Sequence, residues 1–437
     1  MLRSPGRSRL AVAGFAKMFG GSMAEAAIEL DERWSEVYRA YCEGRLGDPY
    51  PLLAWLQEKH PIHWSTLLDG WFICGHADVV NGLVDPRFSS DRASVNMRKL
   101  PVDMQTRLHA LGEHIANWLG FMDPPRHTEI RRLLARIFTP KLARRLEDRI
   151  RVLAYELVER LPTARADLVA DLAHPLPLTV ICDILGIPPE DRHGFWQAVV
   201  NISDYVAEAG PGVVAAAERA HAGVEELTTY FAALVERRRR DPEDDVVSQI
   251  STTISDAIGM SVPEILGICV FLFSAGHDTT TSLISSSALL LLQHPEALAR
   301  LREDPALMPM AVDEFLRFEA PIPLISRVAS ENFDLSGHQI RHGDSLVLCV
   351  AAANRDPAVF PDPQTLHIDR TPNKELAFGW GAHFCLGAPL ARLEARFALA
   401  ALLDRLAVSR LEHPLPQWHD RHGLRALREL RIVPGCD

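Results

Sequence analysis

The apolar positions of this chain recur mainly with helical period, and one run dominates. Residues 265–292 are almost continuously apolar, inside a predicted helix over 263–293 that spans about 45 Å at 1.5 Å per residue. Around it, apolar side chains at three- and four-residue spacing predict helices over 142–161, 168–185, 192–209, 213–240 and 305–319. Gly186, Pro188 and Pro189 break the second of these from the third, and Gly210-Pro211-Gly212 reads as a hinge before the fourth. Leu390, Leu393, Phe397, Ala400 and Leu403 mark a further helix over 386–403. Strand signals are fewer. Residues 61–74 alternate as a hairpin does, with Leu68-Asp69-Gly70 at the turn, and 325–350 is β-rich. Leu52, Leu53, Trp55 and Leu56 make 51–60 amphipathic, and 77–84 predicts another short helix. Residues 87–120 are polar and rich in Met, Arg and His; they read as a loop over a pocket or a surface excursion. The expected fold is mainly α with a smaller β region.

No repeat, low-complexity tract or polar linker divides the chain, so residues 23–437 are expected to form a single domain. Residues 1–22 carry Arg3, Arg7, Arg9 and Lys17 with no acid. Their apolar stretch is broken by Gly14 and too short for an anchor, so they read as a disordered extension or as read-through from a start upstream of Met23. The 265–292 run is not read as a membrane span. His277 and Asp278 sit at its middle, where a charge in lipid costs roughly 2.5–3.5 kcal/mol or more. A net charge of −11 argues against a general nucleic-acid binder. Seven cysteines with no C-x-x-C pair form neither a disulfide framework nor a zinc site, which points to the cytoplasm. Arg237–Arg240, followed by Asp241, Glu243, Asp244 and Asp245, reads as a solvated charge patch.

The chemistry gathers at one loop. In Phe378-Gly-Trp-Gly-Ala-His-Phe-Cys-Leu-Gly387 three glycines surround Cys385, and the 386–403 helix follows directly. A thiol at a helix N-terminus meets free N–H donors and a favourable dipole. Its expected resting form is therefore thiolate, a suitable soft axial ligand for haem iron. The pattern F-G-x-G-x-H-x-C-x-G is complete at every fixed position and resembles the haem-binding loop of the cytochrome P-450 family. Two further stretches resemble that family. Glu314-Phe-Leu-Arg317 with Arg370 is similar to its Glu-x-x-Arg motif and third partner, a buried charge network that locks the segment carrying the cysteine. Ala275-Gly-His-Asp-Thr-Thr280 resembles the middle of its long helix across the haem, where the Ala275–Gly276 pair leaves room for oxygen.

The resemblance runs from about Asp31 onward and implies a soluble bacterial-type monooxygenase with heme b (iron protoporphyrin IX). Thr279 resembles the hydroxyl beside bound dioxygen, and Asp278 the acid that feeds protons to it. The plain reading of the threonine is a local bond to its own helix. Cys385 matches the iron ligand, with Phe378 and Gly387 in its loop. His127, Arg131, Arg327 and His383 match the propionate clamp. Asp123 is expected to cap the helix that carries His127 and Arg131. The implied reaction inserts one oxygen atom of O2 into a C–H bond of a lipophilic small molecule, or epoxidises it. Leu272, Ala275, Ile322, Leu324, Ile325 and Leu424 are the pocket candidates. No flavin or nicotinamide fingerprint is visible, so electrons are expected from a separate ferredoxin and its reductase. Arg132, Arg136, Lys141, Arg144 and Arg145 offer that partner a basic face. The chain is taken as a monomer without a membrane anchor. Two alternatives stay open: a haem-thiolate sensor without turnover, and a peroxide-driven hydroxylase. Peroxide-using relatives tend to lose the acid–alcohol pair, which this chain keeps.

Overall fold

The computed structural model describes residues 47–93, 97–98, 100–192, 194–207, 213–419 and 423–435. The segment 1–22, Cys42, the 210–212 hinge and Cys436 lie outside them. The predicted long helix is present as Val262–Gln293. Ser261 opens it with a capping box: its hydroxyl accepts from the Glu264 N–H, and the Glu264 carboxylate accepts from the Ser261 N–H. Several hydroxyls of this buried helix bond its own carbonyls. Thr281 donates to the His277 carbonyl (3.1 Å), Ser285 to Thr281 (2.8 Å) and Ser287 to Leu283 (2.6 Å). The helices Pro175–Leu185, Val213–Arg240 and Ala388–Ala407 pack around it in one apolar core. Among the described residues no helix is long and apolar enough to cross a membrane.

The largest of the four sheets among the described residues is five-stranded and mixed. The predicted hairpin is there, with Ile62–Ser65 antiparallel to Gly70–Ile73. Gly70–Ile73 runs parallel to Ser345–Cys349, which pairs antiparallel with Leu324–Ala329, and Phe88–Ser89 closes the far edge. The two-residue period sorts its faces. Ile73, Leu346 and Leu348 enter one apolar cluster, while Phe72, Val347 and Cys349 enter another beneath the helix Tyr50–Lys59.

Four expectations are corrected. The supposed loop over 87–120 contains the helices Val102–Arg107 and His109–Ala116. Met104, Leu108, Leu111 and Ile115 are all buried at three- and four-residue spacing, a helical signal masked by the polar positions between them. The helix predicted over 168–185 is broken: a π-turn at Val169–Ala173 precedes Pro175–Leu185. Asp123 does not cap the Arg126–Leu134 helix; its carboxylate accepts from the Ser90 N–H (2.8 Å) and the Ser89 hydroxyl. Finally, Arg238 is not solvated. It is 3% exposed and donates to Asp245, Glu243 and the Gly186 carbonyl, with Asp245 as its buried counter-charge.

Candidate active site

The cysteine loop folds back on itself through left-handed glycines. Gly379 and Gly381 both have φ of 70°, and a Cβ on Gly381 would meet Val84 Cγ1 at 2.8 Å. The Cys385 N–H donates to the Phe378 carbonyl at 2.9 Å, closing the loop, and helix Ala388–Ala407 starts just beyond. The Gly387 and Ala388 N–H groups face the sulfur and, with Arg131, favour the thiolate; burial disfavours it more, and the thiol's pKa lies above its ordinary value. Without a metal, then, burial outweighs the helix terminus at this sulfur. Cys385 would hold a soft metal cation, whose charge would favour the thiolate. Phe378 and Phe384 flank the loop with ring centroids 6.4 Å apart, and the Arg392 guanidinium covers Phe378 at 4.4 Å.

Glu314, Arg317 and Arg370 form one buried network. Both Glu314 and Arg317 are 0% exposed, and Arg317 donates to the two carboxylate oxygens at 2.7 Å each. Arg370 Nε donates to Glu314 Oε2 at 3.0 Å. The arginines also bond the carbonyls of Asn354, Pro361, Asp362, Pro363 and Thr365, and the His367 N–H donates to Glu314. The chain between 354 and 370 is thus held to the Met308–Phe318 helix shortly before it enters the cysteine loop.

The basic residues converge as well. His127 and His383 stack with centroids 4.0 Å apart, Arg131 donates to the Phe384 carbonyl, and Ser90 Oγ lies 3.1 Å from His383 Nε2. Arg327, on the strand Leu324–Ala329, is buried rather than exposed. Burial and neighbouring guanidinium groups push His127 down to about 4 and His383 to about 3, so both rings are neutral near pH 7. One member was missed in the sequence: Arg92, whose guanidinium lies 4.1 Å over the Phe121 ring and whose pKa burial lowers to about 9. Nothing in its local pattern marks it; only the fold brings 92 beside 327 and 383.

This cluster provides the test of whether haem fits. Both ring nitrogens of His127, and Arg92 Nε, are buried with no hydrogen-bond partner among the described residues. Arg92, Arg131 and Arg327 carry three positive charges, with Asp123 the carboxylate beside them. An anion of charge about −2 with several acceptor oxygens is what such a cradle needs, and two propionates provide it.

The central helix opens at one place. Ala275 is exposed and Thr279, one turn on, is half-buried, whereas Phe273, Ser274, His277 and Asp278 are buried. A hollow therefore lies against the Ala275–Thr279 face. Thr279 donates its hydroxyl to the Ala275 carbonyl at 3.0 Å. Of the pocket candidates, Leu272 and Leu424 are buried and Ile322 is half-buried. Leu324 and Ile325 do not share a face: they join apolar clusters on opposite sides of the sheet, as adjacent strand residues must.

The Cytochrome P450 family profile matches residues 101–427. The chain is 36% identical to the cytochrome P450 monooxygenase PikC of Streptomyces venezuelae over 397 residues, covering 88% of this chain and 91% of the relative. It is 38% identical to a vitamin D(3) 25-hydroxylase of Pseudonocardia autotrophica over 363 residues, 81% of this chain and 85% of that one. Among solved structures, P450BioI in complex with a hexadec-9Z-enoic acid ligated acyl carrier protein superposes with a TM-score of 0.80 at 33% identity, covering 88% of this chain and 98% of that one. The chain belongs to the cytochrome P450 family. It is a haem-dependent monooxygenase, and its cofactor is haem b.

Proposed function

We propose that this monooxygenase hydroxylates a lipophilic small molecule, with electrons from a separate ferredoxin and reductase. When bound, haem b supplies the redox chemistry that places one oxygen atom of O2 in a C–H bond. Cys385 would hold the iron, and His127, Arg131, Arg327 and His383, joined by Arg92, would hold the propionates. The hollow at Ala275–Thr279 carries the reading. The buried helix is least covered where a small residue and a hydroxyl stand one turn apart, beside a buried carboxylic acid. Thr279 commits its own proton to Ala275, so its oxygen presents lone pairs to the hollow and can hold a water or another donor there. Asp278 is the group from which a proton reaches that donor.

Thr279→Ala is expected to leave haem content and substrate titration intact while most of the NAD(P)H consumed ends as hydrogen peroxide. Asp278→Asn is expected to slow the whole cycle, with a raised solvent isotope effect. The stoichiometry of product, peroxide and NAD(P)H decides; unchanged coupling in Thr279→Ala would reduce that hydroxyl to a bond within its helix.

The apolar candidates Leu272, Ile322 and Leu424 support a lipophilic substrate, as does the similarity to a vitamin D(3) hydroxylase. A spectral titration against steroids, terpenoids, fatty acids and polyketides should find a low-spin to high-spin shift. Arg132, Arg136, Lys141, Arg144 and Arg145 are all exposed; Arg145 pairs with Asp244 at 3.0 Å. If an acidic ferredoxin docks there, its reduction of the enzyme should slow roughly tenfold from low to high ionic strength. Charge reversal at Arg132 and Arg136 should slow it further without moving the substrate titration. A flat salt response would sink this docking face.

A further inference from the structure

We propose that His277 and His174 carry protons to Asp278, forming with it a three-residue path from the protein surface to the hollow beside the central helix. This rests on the reading of Asp278 as the proton donor of the reaction.

Adjacent residues on a helix diverge by about 100°, yet His277 Nδ1 lies 3.1 Å from Asp278 Oδ1. On its other side His277 Nε2 lies 2.9 Å from His174 Nδ1, with the rings edge to face. Asp278 and His277 are 5% and 1% exposed, whereas His174 is only half-buried. The ordering runs inward from water: His174, His277, Asp278. Two local features set His174 in place. The π-turn Val169–Ala173 ends at it, and Pro175–Leu185 starts directly after it. Gly276 then lets that helix press close, since a Cβ there would meet Ile181 Cδ1 at 2.8 Å.

The chemistry constrains the two rings jointly. At 2.9 Å one facing nitrogen must donate and the other accept, so two neutral rings must share a tautomer. With Asp278 ionised, His277 Nδ1–H donates to it and His174 Nδ1–H donates to His277 Nε2. A proton arriving at His174 Nε2 then displaces the one on its Nδ1 to His277, and the His277 Nδ1 proton passes to Asp278. One proton enters, one reaches the carboxylate, and neither ring is left charged. Both rings are now Nε2–H, and their reorientation restores the start. Burial and the proximity of His277 lower the His174 pKa to about 4, so the ring passes protons on rather than storing them.

The test compares His174→Gln, His277→Gln and Asp278→Asn in the haem-loaded enzyme with its redox partners. Glutamine can bond but cannot relay. His174→Gln should leave the carbon monoxide spectrum and substrate titration unchanged. Turnover should fall about tenfold with a raised solvent isotope effect, as is expected of Asp278→Asn; proton-transfer groups are worth about 10² or more, and water replaces them only partly. If Asp278→Asn is slowed and His174→Gln is not, the relay is overturned while the role of Asp278 stands. If Asp278→Asn itself turns over normally, both fall. A second measurement needs no turnover. Nitrogen-15 spectra of histidine-labelled, reduced, carbon monoxide-bound protein should show His174 and His277 in the same tautomer. Opposite tautomers would overturn the path.

Discussion

Cys385→Ala is expected to abolish the red-shifted Soret band that the reduced protein gives with carbon monoxide. The argument compares cysteines. Cys74, Cys182, Cys269 and Cys349 are fully buried, and burial raises Cys182, Cys269 and Cys349 to about 12 and Cys74 well above its ordinary value. Each behaves as a small apolar core residue. Among the described cysteines Cys385 alone is partly accessible, and it alone combines two backbone N–H donors with the nearby positive charges of Arg131 and Arg392. The substitution removes the soft ligand and leaves the cradle of His127, Arg131, Arg327, His383 and Arg92 in place. Some haem should therefore still bind, held through its carboxylates, with a band at the position of a non-thiolate protein. Retention of the red-shifted band would make another cysteine the ligand and end the present reading of the loop.

Glu314→Gln is expected to destabilise the protein by roughly 3–5 kcal/mol, the cost of leaving a buried charge unpaired. Glu314 is the sole acid between Arg317 and Arg370 in this network, and it also accepts from the His367 N–H and the Asn373 amide. Glutamine keeps the shape but offers one acceptor oxygen in place of two, and no charge. The two guanidinium groups then repel across a neutral amide. The first structure to loosen should be the chain between 354 and 376, which is held through Arg317, Arg370 and the Leu376 N–H bonded to Asn354. That chain feeds the cysteine loop, so weaker haem retention should accompany the lower unfolding midpoint. Denaturant titration followed by circular dichroism and by the Soret band separates the two. A loss below about 1 kcal/mol would mean that solvent or another acid reaches the arginines.

Much of the site is legible in the chain because its parts are local. The loop from Phe378 to Gly387 needs left-handed glycines at fixed positions beside its cysteine, and a backbone requirement of that kind is written residue by residue. The long helix is equally plain, since so long an apolar run is buried along nearly all of its length, its polar pair His277 and Asp278 included. The Glu314–Arg317 pair stands out only together with Arg370 and the cysteine loop, through the family resemblance, whereas the hairpin over 61–74 declares itself by its alternation.

Other features depend on distances between segments far apart in sequence, and no local pattern reports them. Whether Arg327 is buried is settled by the strands on either side of it, and Arg92 joins the basic cradle only because the chain after Phe88–Ser89 returns across it. Asp123 has the sequence of a helix cap but bonds Ser89 and Ser90, because the tertiary fold offers it two donors there. Arg238 looks like a solvated charge and is buried against Asp245. The thiol of Cys385 shows the same division. Its helix-terminal position, visible in the chain, lowers its pKa, but the packing that excludes water raises it further. Sequence by itself determined the residue types and the local geometry of this protein's chemistry. Only the tertiary structure decided which of its charges lose their water, because desolvation comes from neighbours in space rather than along the chain.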